Sequence, residues 1–242
     1  MAEVRQFKNL DKALALDDVA MRVPAQKTNC YVDRLLKWGK KNERRFAWRK
    51  ETDPFHILIA EILLQRTAAR QVEPVYAEFV ARYPSIRELL KAPNDDILSC
   101  LRPLGLAYRA VRLKQLAETL EKEFDGMVPR SERELLSLPG VGKYVANAVR
   151  CFAFKKDVPI VDTNVLRVLN RVFSVDSIDS HKDPKIWGFA ARLIPAGKAR
   201  DLNISTLDFA SFVCTARRPR HDICPFKDIC DFYQKKSKHA LS

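Results

Sequence analysis

The chain has 242 residues, of which 47% are hydrophobic and only seven are glycine, a balance that favours a packed, largely helical protein over a disordered or β-rich one. A formal charge of +13 predicts a polyanionic partner such as nucleic acid, although some proteins are basic without having one. No apolar run approaches the roughly 20 residues of a membrane span, and the N-terminus lacks the apolar core of a signal peptide, so we expect an intracellular protein with reduced thiols and no membrane association.

The first part of the chain combines a polar extension with a basic helical pattern. Residues 1–28 mix charges without strong periodicity and are interpreted as an N-terminal extension, with one helix around 10–19. From residue 31, apolar side chains recur at helical spacing on one face, while lysines and arginines line the other. Asp53 followed by Pro54 then predicts the start of the next helix.

The segment 55–67 is apolar on nearly all sides, which predicts a central buried helix. Glu61 lies inside this segment, and a buried carboxyl group is unfavourable unless it is paired or functional. Glu61 therefore either lies on a polar edge beside Arg66 or another arginine, or it belongs to a site. Gln65 and Arg66 are the polar residues at the end of the segment.

Further helices are predicted at 72–83, 86–91, 95–101 and 109–123, separated by prolines. A tight turn at 104–109 contains Gly105 and leads into the last of these helices. Because Arg109, Arg112 and Lys114 lie at or just after it, this turn is a candidate DNA-facing loop, in addition to the turn at 138–142 described next.

The sequence LPGVG at 138–142 places Gly140 and Gly142 on either side of one apolar residue, and a helical pattern begins at Lys143. Glycine tolerates a positive φ and the close approach of another backbone. A turn of this kind at a helix N-terminus exposes backbone N–H groups at the positive end of the helix dipole, which favours an anion such as a nucleic-acid phosphate. Taken alone, the same turn also fits an ordinary connection between two helices.

Asp162 follows the apolar run 158–161 and precedes another helical pattern. Its carboxylate either caps that helix, by accepting from the N–H of Asn164 or Val165, or serves a functional site. Helices predicted at 185–194 and 203–213 complete the pattern, and no stretch alternates convincingly as a strand. The predicted fold class is all-α.

Four residues of metal-binding types occur within the 17 positions from 214 to 230: Cys214, His221, Cys224 and Cys230. Cysteine and histidine bind both zinc and iron–sulfur clusters, so the spacing leaves both metals open. Three reduced cysteines without a metal are the alternative, and His221 is either a ligand or a surface histidine beside Asp222.

From about residue 46 to residue 233, the chain resembles the helix–hairpin–helix DNA glycosylase superfamily, the group of endonuclease III and the MutY-type adenine glycosylases. The resemblance rests on FAWRKETDPFHILIAEILLQRT, LPGVGKYVANAV, VDTNVLRVLNR and the four-ligand tail. Within that superfamily, the chain looks most like the archaeal-type thymine-DNA mismatch glycosylases. The resemblance implies a two-lobed all-α fold. One lobe combines residues 29–54 and 163–213, and the central lobe (55–162) contains the hairpin at about 132–152. An N-terminal extension (1–28), an iron–sulfur loop (214–230) and a tail (231–242) complete the chain.

The resemblance also implies roles for single residues. Gly140 and Gly142 match the turn that binds a DNA phosphate through backbone N–H groups. Asp162 matches the essential aspartate of the superfamily. Glu61 matches a glutamate that the adenine and thymine mismatch enzymes place in the base pocket.

Further DNA contacts are expected from residues around these positions. Gln65 and Arg66 match residues that enter the duplex or touch the orphaned partner base, and Leu106 falls on a second wedge loop. Lys143 and Asn164 complete the expected DNA-binding set.

The sequence departs from the family pattern at two positions. Tyr144 stands where endonuclease III has its Schiff-base lysine, and Lys143 is turned about 100° away from that position on a helix, so we expect no strong AP-lyase activity. His221 stands where the family has its second cysteine. The expected cofactor is therefore a [4Fe–4S] cluster held by Cys214, Cys224, Cys230 and His221, with zinc or loss of the cluster as alternatives.

We therefore expect a monomeric, monofunctional DNA glycosylase of base excision repair, associated with the nucleoid, in which Asp162, Glu61 and Tyr144 form the catalytic site. Its expected substrate is double-stranded DNA with a mismatched or damaged base, most simply thymine or uracil opposite guanine, and its product is an abasic site. Adenine opposite guanine or oxidised guanine, a damaged or modified pyrimidine, and a DNA-binding module without enzymatic activity are the alternatives. Because the chain ends twelve residues after Cys230, we expect no room for the additional domain of MutY-type enzymes.

Overall fold

The computed structural model describes residues 23–105, 108–175, 178 and 180–239. The helix predicted at 10–19 and the proposed wedge residue Leu106 lie outside these ranges. The described residues form twelve α-helices and three short 3-10 turns, and no strand occurs among them. The prediction of an all-α fold is confirmed. No helix in the described ranges is both long enough and apolar enough to cross a membrane.

The helices are α1 (Ala25–Asn42), α2 (Pro54–Leu64), α3 (Ala69–Arg82), α4 (Ile86–Lys91), α5 (Asn94–Leu101), α6 (Tyr108–Phe124), α7 (Glu132–Ser137), α8 (Lys143–Phe152), α9 (Thr163–Phe173), α10 (Pro184–Arg192), α11 (Ala199–Phe212) and α12 (Asp231–His239). The 3-10 turns span Ala47–Arg49, Arg102–Leu104 and His221–Ile223. Helix α12 was not predicted, since the sequence was interpreted there only as a tail.

The chain forms two compact units. The hairpin unit is Arg45–Lys156, and the terminal unit comprises the described residues of Met1–Arg44 and Asp157–Ser242. The sequence placed the corresponding changes of lobe after residues 54 and 162. Trp48 explains the first difference, because it is buried in the core of the hairpin unit. Asp157 explains the second, because its carboxylate accepts from the backbone N–H of Gly197 within the terminal unit.

Helix α2 is the centre of the hairpin unit. Asp53 caps its first turn by accepting from the N–H groups of Phe55 and His56, and Pro54 occupies the first helical position. The helix packs against α3 and α8, and nearly all of its side chains are buried. The predicted end at residue 67 is wrong: the helix ends at Leu64, because Arg66 adopts a left-handed conformation with a φ of 59°.

The terminal unit is built around α11, which packs against both α1 and α9. Helix α9 buries an apolar face that includes Val165, Leu169 and Val172, as the helical spacing predicted. The apolar run before Asp162 is extended, and the buried Asn203 supports its backbone by accepting from Ile160 N–H and donating to the Val158 carbonyl. These contacts fix the segment that leads to Asp162.

Candidate active site

The predicted hairpin turn lies between α7 and α8. Leu138 and Val141 are buried, Val141 N–H donates to the Leu138 carbonyl, and Gly140 has a φ of 80°. Gly142 is the N-cap of α8, and a Cβ added there would meet no other heavy atom within 4 Å. The space beside Gly142 is therefore open at the N-terminus of α8, where the first backbone N–H groups have no partner within the helix. This arrangement suits an anion. Lys143 is exposed as the first residue of the helix.

The loop that follows α2 is connected to this turn. The side chain of Gln65 donates from Nε2 to the Gly140 carbonyl over 3.0 Å. Two residues expected to contact DNA are thus joined directly within the hairpin unit. Arg66, next to Gln65, is partly exposed.

Arg109 supports the same loop from inside the unit. It is only 2% exposed, and its guanidinium donates to the carbonyls of Leu63 and Gln65 and to the Thr67 hydroxyl. Although Arg109 was one of the basic residues that made this turn a candidate DNA-facing loop, its side chain is buried and binds the carbonyl groups that α2 leaves unsatisfied at its C-terminus. The sequence carried no signal for this role, because the partners lie more than 40 positions away.

Lys114 is likewise not a DNA-facing residue. Its ammonium group donates to the carbonyls of Leu89, Leu90 and Ala92 at the end of α4. Cations near a helix C-terminus are favoured by the free carbonyls and by the helix dipole. Of the three basic residues grouped in the sequence, only Arg112 is left for an external role.

Glu61 is 5% exposed on α2, and its Oε2 has no hydrogen-bond partner in the described part of the chain. Burial raises the pKa of Glu61 to about 7, while the positive charge of Arg49 acts in the opposite direction. Arg49, in the 3-10 turn before α2, was not selected from the sequence. Its neighbour Trp48, buried in the same core and stacked on Phe46, indicates that this turn packs inward.

Tyr144 is the second residue of α8. Its half-buried ring packs against the core of the hairpin unit, the same core that contains most of α2. Because α2 and α8 pack against each other, Glu61 and Tyr144 lie on neighbouring helices of one unit.

Asp162 belongs to the terminal unit and caps α9. Its Oδ1 accepts from the N–H groups of Asn164 and Val165 over 2.9 and 2.8 Å, so the predicted capping role is confirmed. Its Oδ2 accepts from Asn164 Nδ2 over 2.7 Å. The Asn164 side-chain oxygen accepts in turn from Arg167, which also donates to the Cys214 carbonyl. The orientation of the carboxylate is therefore fixed by at least three donors.

The four candidate metal ligands, Cys214, His221, Cys224 and Cys230, line one cavity of the terminal unit, whose apolar wall includes Phe226. Within the described ranges, no three His, Cys, Asp or Glu side chains converge closely enough to hold a single metal ion. Three thiol groups and one imidazole are donors that bind the iron of an iron–sulfur cluster, so the donor set fits such a cluster.

The surroundings of the cavity act on the ligands in different directions, since burial raises the pKa of the Cys224 thiol to about 11. Arg171 donates to the Cys214 sulfur and to the Thr215 carbonyl, which places a cation beside the thiol. Burial, followed by the nearby cations, lowers the pKa of His221. A neutral imidazole is the form that binds metals. Arg34 anchors the same loop by donating to Asp228.

Two family models match the chain. The model of the HhH-GPD superfamily of base excision DNA repair proteins matches residues 59–186, and the model of the iron–sulfur binding domain of endonuclease III matches residues 214–230. The hairpin, the N-capping Asp162 and the four candidate metal ligands all lie within these matches. The chain belongs to the helix–hairpin–helix superfamily of base excision DNA repair proteins and carries its iron–sulfur binding domain.

Individual relatives agree with this assignment. The chain is 38% identical over 216 residues to the thymine/uracil-DNA glycosylase of Methanothermobacter thermautotrophicus, covering 88% of this chain and 97% of the relative. It is 37% identical over 194 residues to the adenine DNA glycosylase of Mycolicibacterium smegmatis, covering 79% of this chain and 66% of the relative. The solved structure of a thermostable thymine-DNA glycosylase superposes with a TM-score of 0.84 at 37% identity, covering 87% of this chain and 98% of that one.

Proposed function

We propose that the protein is a monofunctional DNA N-glycosylase that releases thymine or uracil opposite guanine from double-stranded DNA. The observation that carries the chemistry is Glu61, a buried carboxyl group whose pKa is raised to about 7 in the same unit as the hairpin. Similarity over nearly the whole length of a thymine/uracil-DNA glycosylase supports the choice of base. The enzyme acts as a monomer on nucleoid DNA.

The reaction begins with extrusion of the target base, because an N-glycosidic bond inside a duplex is inaccessible. Flipping a base costs a few kcal/mol of unstacking and unpairing free energy, and this cost is smallest for a mismatched base. Gln65, Arg66 and Leu106 fill the gap or contact the orphaned guanine. The N–H groups at the hairpin bind the DNA backbone, and Lys143 and Asn164 contribute further DNA contacts.

Asp162 acts on the sugar side of the bond. As the bond between C1′ and the base nitrogen breaks, its electron pair leaves with the base and positive charge develops on the sugar ring. A fixed carboxylate stabilises that charge, as in other reactions with an oxocarbenium-like transition state. Water then adds to C1′ and loses a proton, which leaves an abasic site.

Glu61 acts on the base side. A carboxyl group with a pKa of about 7 is substantially protonated near neutral pH and can donate to the departing base. The base takes up this proton together with the bonding electron pair, or a water ordered by Glu61 delivers it. Tyr144 lines the pocket on the neighbouring helix.

Tyr144 is also the reason for assigning hydrolysis without strand cleavage. Its phenol cannot form an imine with the sugar, whereas a lysine amine can. We expect borohydride to trap little covalent enzyme–DNA adduct. Strong trapping would show that another lysine supplies the amine.

An adenine glycosylase is the second candidate, since an adenine DNA glycosylase is 37% identical to the chain. A panel of duplexes, each with one T:G, U:G, A:G, A:oxidised-guanine or damaged-pyrimidine pair, followed by alkaline cleavage, separates the candidates. Preferential cleavage of T:G and U:G supports the proposal. Preferential release of adenine or of a damaged pyrimidine favours the alternatives, and tight binding without release from any duplex indicates a non-enzymatic module.

For the cofactor, we propose that Cys214, His221, Cys224 and Cys230 hold a [4Fe–4S] cluster. When bound, the cluster cross-links the loop of residues 214–230. The expected protein is brown, with about four irons and four sulfides per chain. His221→Ser should lower iron retention on gel filtration, whereas His221→Cys should restore it. Stoichiometric zinc in a colourless preparation, or full iron retention in His221→Ser, contradicts this ligand set.

A further inference from the structure

Helix α6 begins with basic residues in different surroundings. Arg109 and Lys114 donate to carbonyl groups inside the hairpin unit. Arg112 is half-buried and points elsewhere: among the described residues, no hydrogen bond or ion pair involves its guanidinium. In a unit where Arg150 pairs with Glu132, Arg112 is a cation whose charge is left for an external partner.

The Arg112 side chain lies against the hairpin turn. A Cβ added to Gly140 would fall 3.2 Å from Arg112 Nε and closer still to its methylene carbons. The side chain thus lies where a residue larger than glycine would extend. Glycine is needed at position 140 for two reasons: the turn has a φ of 80° there, and the absence of a Cβ leaves room for the Arg112 side chain.

A second contact orients the guanidinium. Its central carbon lies 5.1 Å from the centroid of the Tyr108 ring, one turn earlier on α6. Stacking on an aromatic face is favourable for arginine and limits its rotamer freedom. The group is therefore held between a ring and the turn, with less conformational entropy to lose on binding than a free surface arginine.

We propose that Arg112 binds a DNA backbone phosphate together with the N–H groups of the hairpin. The proposal rests on the proposed function only in that duplex DNA is the substrate. The guanidinium of Arg112 lies against Gly140, and only two residues separate Gly140 from the first residue of α8. The guanidinium and the first N–H groups of α8 are therefore close enough to contact the same phosphate. Arginine supplies a forked pair of donors that matches two phosphate oxygens, and the backbone N–H groups supply further donors.

The test is the salt dependence of binding to an undamaged duplex, which requires no base release. Neutralising one phosphate contributes about 0.9 to the slope of log K against log salt concentration. For Arg112→Gln, we expect the slope to fall by about 0.9 and binding to weaken about fivefold at ~0.15 M salt. Arg112→Lys should keep most of the slope, because the charge remains.

The matched control is Lys122→Gln, an exposed cation ten residues further along α6, about 15 Å away. It should leave the slope unchanged. If wild type and Arg112→Gln have equal slopes and equal unfolding midpoints, Arg112 does not bind a phosphate. That result leaves the proposed function intact as long as the wild type releases the base from T:G duplexes. Conversely, a reduced slope in Arg112→Gln with no base release by the wild type keeps the phosphate contact and refutes the proposed function.

Discussion

Glu61 and Asp162 carry the same functional group in opposite environments. Glu61 is buried in an apolar helix, and one of its oxygens has no hydrogen-bond partner in the described ranges. The Asp162 carboxylate begins a helix and accepts three hydrogen bonds from Asn164 and Val165. Burial raises the pKa of Glu61 to about 7, so its environment stabilises the protonated carboxyl group. The hydrogen bonds to Asp162 instead fix the orientation of its carboxylate. In the proposed reaction, Glu61 donates a proton and Asp162 supplies a fixed carboxylate.

The largest expected effect comes from removing the charge of Asp162. Asparagine still accepts hydrogen bonds as an N-cap but carries no negative charge. We expect Asp162→Asn to slow single-turnover release of thymine from a T:G duplex about 10³-fold, with an unchanged unfolding midpoint. Asp183→Asn, which alters the N-cap of α10 in the same unit, is the control and should keep wild-type activity. A wild-type rate in Asp162→Asn would remove Asp162 from the chemistry.

Replacing Glu61 by glutamine tests the proton-donating side. The substitution keeps shape and burial but removes the acidic proton. Release of thymine should slow about 10²-fold, the usual contribution of a general acid. Glu118→Gln, an exposed acid on α6, should have no effect. If both variants retain full activity, Glu61 is a structural residue.

The same substitution predicts a change in stability with pH. The pKa of Glu61 rises from 4.5 to about 7 on folding, so the stability it contributes is fully present below pH 4.5 and is lost as the pH rises through about 7. The wild type should therefore lose up to about 3 kcal/mol between pH 4.5 and 8, relative to Glu61→Gln. Urea unfolding of both proteins at several pH values measures this difference. Parallel stability curves would mean that the pKa of Glu61 does not change on folding.

The smallest effect concerns how Asp162 is held. Asn164→Ala removes the hydrogen bond to Oδ2 but leaves both backbone donors, so the carboxylate keeps its cap. We expect about a tenfold lower kcat, which corresponds to one lost hydrogen bond. Asn170→Ala removes an amide from the same helix that contacts the Ile178 carbonyl instead, and it should leave kcat unchanged. Equal kcat values for the two variants would show that Oδ2 needs no fixed donor.

The elements that the sequence predicted are those set by local patterns. Helix α4 has the predicted bounds, because a short apolar repeat and the flanking prolines define it within a few residues. The turn at Gly140 and the cap at Asp162 were predicted for the same reason. Even the raised pKa of Glu61 follows from its position in an apolar helix.

The features that the sequence did not predict depend on distant contacts. Helix α2 stops at Leu64, just before the left-handed Arg66, and Arg109, far along the chain, binds the carbonyls of Leu63 and Gln65 at this end. Arg109 and Lys114 resembled surface cations because their carbonyl partners carry no sequence signature. Arg112 was grouped with them, and only its packing on Gly140 distinguishes it.

The most direct test of the two-environment account is the pH dependence of single-turnover thymine release from a T:G duplex by the wild type and by Glu61→Gln. We expect the wild-type rate to fall about tenfold per pH unit above about pH 7, as Glu61 loses its proton, and Glu61→Gln to be slow without this alkaline limb of the pH profile. A wild-type rate that stays flat from pH 6 to pH 9, or the same limb in Glu61→Gln, would contradict it.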